Sequence, residues 1–372
     1  MEKRLRFDME LPKDIRLIQE TFKKHGFKLY VVGGAVRDAY MGLRPKDYDL
    51  ATNAFPGVVE DIMRELHIRT LATGKAFGVI NAFTNDDEYE IATFREDIGS
   101  GRRPEGVVFT TIEGDVKRRD LTINALFYDI EEGLIIDLVG GLDDIDNKVV
   151  RTVGSAEDRF DEDRLRILRA VRFAGRFGSD LDIEIQETLE KFPSLEEISG
   201  ERIRDEFIKG IKSAKSLRHF LRMIKKFQLF AWIFPELSVS GRFFETNDPI
   251  IAISILLAQH NKAELMPKVL DKLKYSKDEI KAIMFLNSLC TIDVTNVIAV
   301  KRQQKNSGLK DAQIREFARL AGLSGILIDA FLDFNLSVSG SQLMEERGIP
   351  QGPEVGRLVE QIERNIFTKM LF

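Results

Sequence analysis

The chain is poor in the residues that build stapled or metal-held domains. Its single cysteine, Cys290, excludes an internal disulfide framework and any cysteine-rich zinc module. Its four histidines, His25, His67, His219 and His260, are scattered, which argues against a His-ligated metal centre. None is followed by aspartate, so no His-Asp phosphohydrolase motif is present and no added phosphatase activity is expected. No apolar run approaches ~18 residues, and the opening MEKRLRFDMELPKD has no apolar core. Neither membrane spanning nor secretion is therefore expected, and a cytoplasmic location is. A basic excess is missing too: 55 Lys and Arg stand against 60 Asp and Glu, a net charge of −5, so any nucleic-acid contact must come from local clusters. There is no internal repeat and no low-complexity segment.

What remains is a globular composition, 44% apolar and 31% charged over 372 residues, enough for two or three domains. The first 150 residues read as mixed α/β. Leu29–Val32, Val79–Phe83, Tyr89–Phe94 and Leu134–Leu138 have the β-branched and aromatic content of strands. Phe55–Leu66 and Asn124–Phe127 carry helical patterning. From about Ser155 strand signals mostly vanish. Asp163–Phe177, Ile203–Ile211 and Ser216–Phe227 show apolar residues at three- and four-residue spacings, and the remainder reads as all-helical. Breaks are expected near Pro193, Pro235, Ser240-Gly241 and Ser337–Ser341. The expected outline is an α/β head on a long helical body.

The most informative stretch is LYVVGGAVRDAYMGLRPKDYDLAT, Leu29–Thr52. A strand runs into Gly33-Gly34 and a helix beginning near Ala35, where backbone N–H groups can approach a phosphate and Arg37 can reach the same anion. Asp47 and Asp49, two apart on an extended segment, project from one face. Two like charges held close invite a cation between them. Mg²⁺, bound through one or two carboxylates plus substrate phosphates, suits the pair. Glu90, in the strand-like Tyr89–Phe94, is the best third carboxylate for a two-metal site. Alone, an Asp-x-Asp is usually a solvated turn and a Gly-Gly merely a turn; the ordered series is far more specific.

GGAVRD (Gly33–Asp38) followed by KDYDL (Lys46–Leu50) resembles the signature of the DNA polymerase β nucleotidyltransferase superfamily. More narrowly, it is similar to the class II tRNA nucleotidyltransferase and bacterial poly(A) polymerase family. Further blocks agree in order. RRDLTINAL (Arg118–Leu126) resembles the second motif, and DLVGGLDD (Asp137–Asp144) the third, a turn joining head to neck. EDRLRILRAVRF (Glu162–Phe173) is similar to the nucleotide-selecting motif. Glu201-Arg202-Ile203 with Glu206 resembles the fifth. Arg347–Pro353 with Gly356-Arg357-Leu358 is similar to the C-terminal element. The resemblance is strong over residues 29–210 and weaker beyond. It implies a polymerase-β-type nucleotidyltransferase head (1–150), a helical neck with the nucleotide-selecting helix (151–215), a helical body (216–310) and a helical, tRNA-binding tail (311–372). The implied activity is template-independent addition of CCA to the tRNA 3′ end from CTP and ATP.

Several residue roles follow from that resemblance. Asp47 and Asp49 would hold the metals, with Glu90 as third carboxylate. Gly34 and Arg37 would hold the triphosphate, and Arg119 would join the nucleotide site. Asp163 and Arg166 would act as a protein template. Cytosine and adenine each present an amino donor beside a ring-nitrogen acceptor, so a matched Asp/Arg pair favours them over guanine and uracil. Arg166, Arg169 and Arg172, with Asp163, are spaced by three and form a slanting ridge on a helix, the last two assisting with base or phosphate. Residues 201–228 hold nine bases (Arg202, Arg204, Lys209, Lys212, Lys215, Arg218, Arg222, Lys225, Lys226) against Glu201, Asp205 and Glu206, a local surplus suited to an RNA backbone. Lys301, Arg302 and Lys305 form a second cluster.

One segment departs from the family pattern. Arg95–Pro104 is shorter than the usual bacterial flexible loop and lacks the expected tyrosine and aspartate before the arginine pair. Gly74-Lys75-Ala76-Phe77-Gly78 nevertheless resembles the tRNA-type form. CC-adding or A-adding enzymes, a poly(A) polymerase and a non-catalytic RNA-binding relative stay open beside full CCA addition, although a binding module has no use for the Asp47/Asp49 pair.

Overall fold

The computed structural model describes residues 2–99, 106–258 and 264–371. Residues 100–104 of the Arg95–Pro104 loop, and His260, lie outside the described residues. The chain divides into two compact units, Met1–Glu196 and Glu197–Phe372. The expected divisions at 150, 215 and 310 are finer than this partition, whose boundary falls inside the 151–215 neck segment.

The first unit is built on strands β1 (Lys3–Arg6), β2 (Leu29–Val32), β3 (Asp49–Thr52), β4 (Arg69–Leu71), β5 (Val79–Phe83), β6 (Glu88–Thr93), β9 (Leu126–Asp129) and β10 (Leu134–Asp137), with β7 (Arg95–Ile98) and β8 (Gly106–Phe109) forming a separate hairpin. The eight-stranded sheet has the order β1-β10-β9-β2-β3-β6-β5-β4. The β3–β6 pairing is parallel and the others are antiparallel.

Alternation along the strands feeds two cores. Leu29, Val31, Leu50, Ile91, Leu126, Tyr128 and Ile135 face one side, where helices α1 (Lys13–Lys24), α2 (Gly34–Tyr40) and α3 (Pro56–Glu65) add Ile15, Ile18, Phe22, Val36, Val59 and Ile62. Tyr30, Val32, Ala51, Phe127 and Ile136 face the other, with Phe94 and with Val116 of α4 (Ile112–Lys117). Each fully buried large apolar side chain contributes about 1.5–3 kcal/mol, so a truncation such as Phe22→Ala costs roughly 3–5 kcal/mol.

The segment Asn124–Phe127, whose pattern suggests a helix, instead runs from a short 3₁₀ turn (Thr122–Asn124) into β9. Four residues are too few to fix a period, and pairing with β2 and β10 on either side decides the matter. After α5 (Gly141–Asp146) come α6 (Ala156–Glu162), α7 (Leu165–Phe177) and α8 (Ile183–Lys191). Asp180–Leu181, inside the stretch expected to be all-helical, pairs in parallel with Val149–Val150. The DLVGGLDD turn is held by Asp137, whose carboxylate accepts from the backbone N–H groups of Val139, Gly140, Gly141 and Leu142 at 2.9–3.0 Å.

The regular elements described in the second unit are all helices, from α9 (Gly200–Ser213) and α10 (Leu217–Lys226) to Pro353–Leu371. Phe207 of α9 anchors it, with its ring 5.9 Å from Phe220 and 5.5 Å from Phe234.

Candidate active site

The strand register assembles the carboxylates. Val32 of β2 pairs with Asp49, the first residue of β3, so Asp49 stands beside the Gly33 turn. Leu50 pairs in parallel with Ile91, which sets Asp49 and Glu90 side by side one step earlier on the opposite face from those buried residues. Asp47 lies just ahead of β3 rather than on it, and its charge still acts on Asp49. Asp49 as a residue is exposed, yet protein crowds its carboxylate. Burial, then the charges of Glu90 and Asp47, push the Asp49 carboxyl up to about 6, with Arg119 acting in the opposite sense. A divalent cation would relieve the charge crowded at Asp49 by Glu90 and Asp47. Among the described residues no three such groups converge into a ready-made cage. A cation here would therefore draw the rest of its shell from water and substrate oxygens.

The Gly-Gly turn adopts a backbone only glycine accepts easily: Gly33 has φ +68°. Gly34 opens α2, and a side chain there would meet the Arg37 guanidinium at 3.4 Å. Arg37, expected at the triphosphate, packs beneath the turn. It is only 3% exposed. Its Nε and Nη2 donate to Asp38 Oδ1 at 2.9 and 2.7 Å, its Nη1 donates to Asn124 Oδ1, and it lies 5.0 Å from the ring centroids of Phe173 and Phe177. Burial pushes its pKa down, against the pull of Asp38. Asp38 also accepts from Arg176 at 2.8 Å. Arg37 thus ties the turn to α7 from within.

Arg119 is placed over that turn. Its Nη1 lies 3.5 Å from where a Gly33 Cβ would be and donates to the Asn124 carbonyl at 3.4 Å, and its guanidinium sits 4.6 Å from the Phe127 ring centroid. The ridge expected from Asp163 to Arg172 differs in one respect from a single helix: α7 begins at Leu165, so Asp163 stands in the extended break after α6. Asp163 Oδ1 accepts from the Leu165 N–H at 3.1 Å. Arg166 donates to Glu162 at 2.5 Å and to the carbonyls of Arg159 and Arg118. Arg169 is bound to Asp120, and Arg172, 8% exposed, lies 4.2 Å from the Phe173 ring centroid. Four arginines (37, 169, 172 and 176) surround the stacked Phe173/Phe177 pair.

Of the groups holding these arginines, Asp120 and Asn124 lie inside RRDLTINAL but are not marked there as partners, and Asp115 lies ahead of it. A signal exists for Asp115: it precedes Arg118 and Arg119 by three and four residues, the spacing that brings helical side chains together.

In the second unit, Lys209, Lys212, Lys215, Arg218, Arg222, Lys225 and Lys226 are exposed along α9, α10 and their junction, while Arg202 and Arg204 are half-buried. Lys301 leaves the second basic cluster. It is 6% exposed and donates to the carbonyls of Phe331 and Leu332 at 2.8 and 3.1 Å, closing the end of the Gly325–Asp333 helix.

Residues 29–151 match the family described as "Poly A polymerase head domain", and residues 182–240 match "Probable RNA and SrmB- binding site of polymerase A". A polymerase-type head with clustered carboxylates defines a nucleotidyltransferase. The chain is 31% identical to the CCA-adding enzyme of Lactobacillus johnsonii over 95% of its own length and 92% of the relative's. It is 33% identical to that of Bacillus subtilis over 93% and 91%. The chain belongs to the CCA-adding enzyme family. A solved Bacillus stearothermophilus CCA-adding enzyme in complex with CTP superposes with a TM-score of 0.65 at 25% identity, covering 97% of this chain and 94% of that one. The fold of a Thermotoga maritima CCA-adding enzyme complexed with tRNA matches with a TM-score of 0.67 at 21% identity, covering 97% and 96%. No helix among the described residues is long and apolar enough to cross a membrane.

Proposed function

We propose that the chain adds CCA to the 3′ end of tRNA, taking cytidylate from CTP and adenylate from ATP. Likeness to CCA-adding enzymes along nearly the whole of both chains carries this reading. The clustered carboxylates supply the chemistry it needs. In each addition the tRNA 3′-hydroxyl attacks the α-phosphorus, the α–β bridge bond breaks and pyrophosphate leaves. Asp47, Asp49 and Glu90 would hold Mg²⁺, the hard cation that carboxylates and phosphates share. When bound, Mg²⁺ would favour ionisation of the hydroxyl and neutralise charge on the leaving pyrophosphate.

The remaining work falls to the chain's side chains. Arg119, poised over the Gly33 turn and near Asp49, would bind the triphosphate, and Gly34 keeps the turn free of a side chain. Asp163 and Arg166 would read the base, the carboxylate accepting from the amino group of C or A and the guanidinium donating to the adjacent ring nitrogen. Arg166 would have to exchange its Glu162 partner to do so. Arg169 and Arg172 would assist from the ridge, and Arg37 would serve the triphosphate with Gly34 from beneath the turn. The functional parts would be a head (1–150), neck (151–215), body (216–310) and tail (311–372), with the tail and the basic α9–α10 surface holding tRNA. A tRNA substrate also favours a cytoplasmic location.

Extension of a tRNA lacking its last three nucleotides tests the reading. CTP alone should give two additions, ATP alone none, and both together three. CTP-only or ATP-only behaviour with both nucleotides present would mark a partial enzyme. Long adenylate runs would mark a poly(A) polymerase, and no extension a binding relative.

A further inference from the structure

Asp115 is the most enclosed carboxylate near the carboxylate cluster that the reading above leaves without a role. It is 1% exposed and sits on the short helix α4. An isolated carboxylate buried to this degree is costly, and the structure compensates it fully. Its Oδ1 accepts from Arg118 Nε at 2.9 Å and lies 2.8 Å from Arg118 Nη2. Its Oδ2 accepts from Arg119 Nε at 3.1 Å and Nη2 at 3.0 Å. Oδ1 also accepts from the Arg95 backbone N–H at 3.3 Å, and Arg118 Nε reaches back to the Arg95 carbonyl at 3.1 Å.

This sharing matters in two ways. Adjacent guanidiniums repel, and Arg118 and Asp115 pull the Arg119 pKa in opposite senses, with burial the largest cause of its depression. Without the shared carboxylate the two would splay. The same group also ties the arginine pair to the start of β7, which directly follows the strand carrying Glu90. One anion therefore sets where Arg119 stands relative to both the Gly33 turn and the carboxylates.

We propose that Asp115 is a positioning residue for nucleotide binding, dividing its two oxygens between Arg118 and Arg119 so that the Arg119 guanidinium is held over the Gly33 turn ready for a triphosphate. It touches no substrate. The proposal rests on the reading of Arg119 as a nucleotide-binding residue. A charge-assisted, two-point contact of this kind is a large fraction of a ligand's binding energy, so its misplacement is measurable.

The test is the dissociation constant for CTP and for ATP, with Mg²⁺ present, in the full-length protein carrying D115N, R119A or both, alongside melting temperature and tRNA affinity. D115N should weaken both nucleotides about tenfold while tRNA affinity stays within about twofold. The double variant should bind CTP no more weakly than R119A alone, because the carboxylate acts only through the arginine. R119A that weakens CTP beside a D115N that does not, or additive losses in the double variant, would overturn the positioning role alone. R119A with unchanged CTP affinity would remove the reading of Arg119 itself, and the proposal with it. If D115N does not fold, D115E keeps the charge but shifts both acceptors by one methylene. Weakened CTP binding in D115E supports the proposal, and wild-type affinity contradicts it.

Discussion

Asp120 accepts from both Nε and Nη2 of Arg169, at 2.7 and 2.6 Å, joining the RRD motif directly to the arginine ridge of α7. The same carboxylate accepts from the Leu121 N–H and from Asn124 Nδ2, and Asn124 in turn accepts from Arg37. A chain of polar contacts thus runs from the Gly-Gly turn to α7, so that sheet and helix present their side chains as one surface.

Asp120→Asn should therefore cost about 2 kcal/mol of stability at neutral pH, read by denaturant unfolding. Burial alone would raise the Asp120 pKa, but Arg169 and the surrounding donors hold it below the usual carboxylate range. A depressed carboxylate contributes stability that is present above its unfolded pKa, near 4, and is lost as pH falls through the folded value. The stability difference between wild type and Asp120→Asn should accordingly shrink only below about pH 4. A difference constant down to pH 2 would show that the ion pair is not its source.

Asp49 carries the opposite sign. With its folded pKa raised to about 6, ionising it costs the metal-free protein stability, a cost that grows as pH rises from about 4 to 6 and is then fully present. In EDTA, Asp49→Asn should melt higher than wild type at pH 8 and no higher at pH 4. Divalent-ion affinity of the wild type should fall as pH drops through about 6, because protons compete for the same oxygens. Equal melting of the two proteins at pH 8 would mean that burial and the neighbouring charges do not penalise the Asp49 carboxylate.

Arg218, Arg222 and Lys225 follow one another at four and three residues along α10, opposite the buried Phe220, Leu221 and Ile224. Replacing all three with alanine should weaken tRNA binding at low salt and flatten the dependence of affinity on salt, by roughly 0.7–0.9 in log–log slope for each phosphate no longer neutralised. Filter binding at several KCl concentrations reads this. A parallel shift with unchanged slope would count against a phosphate-backbone role.

Where chemistry is local, the sequence is a good guide. Gly33-Gly34 follows β2, Asp49 opens β3 with Asp47 just ahead of it, and Glu90 lies on β6; strand pairing sets Asp49 beside Glu90, and alternation assigns those two a face. The RRD block and the helix Leu165–Phe177 are equally readable as elements. Burial is not readable. Phe173, Phe177 and Asn124, which enclose Arg37, are all remote from it in sequence. Lys301 leaves the basic surface for the same reason, capping a helix that begins at Gly325. Spacing alone places Asp163 on a helix that in fact restarts at Leu165, since the break between α6 and α7 carries no proline or glycine to announce it.

The proposed role of Asp49 as a catalytic carboxylate is decided by Asp49→Ala, with tRNA extension and tRNA affinity measured on the same preparation. Extension should fall on the order of 10³-fold or more while tRNA affinity stays near that of the wild type. Extension at the wild-type rate would contradict the assignment of these carboxylates to catalysis.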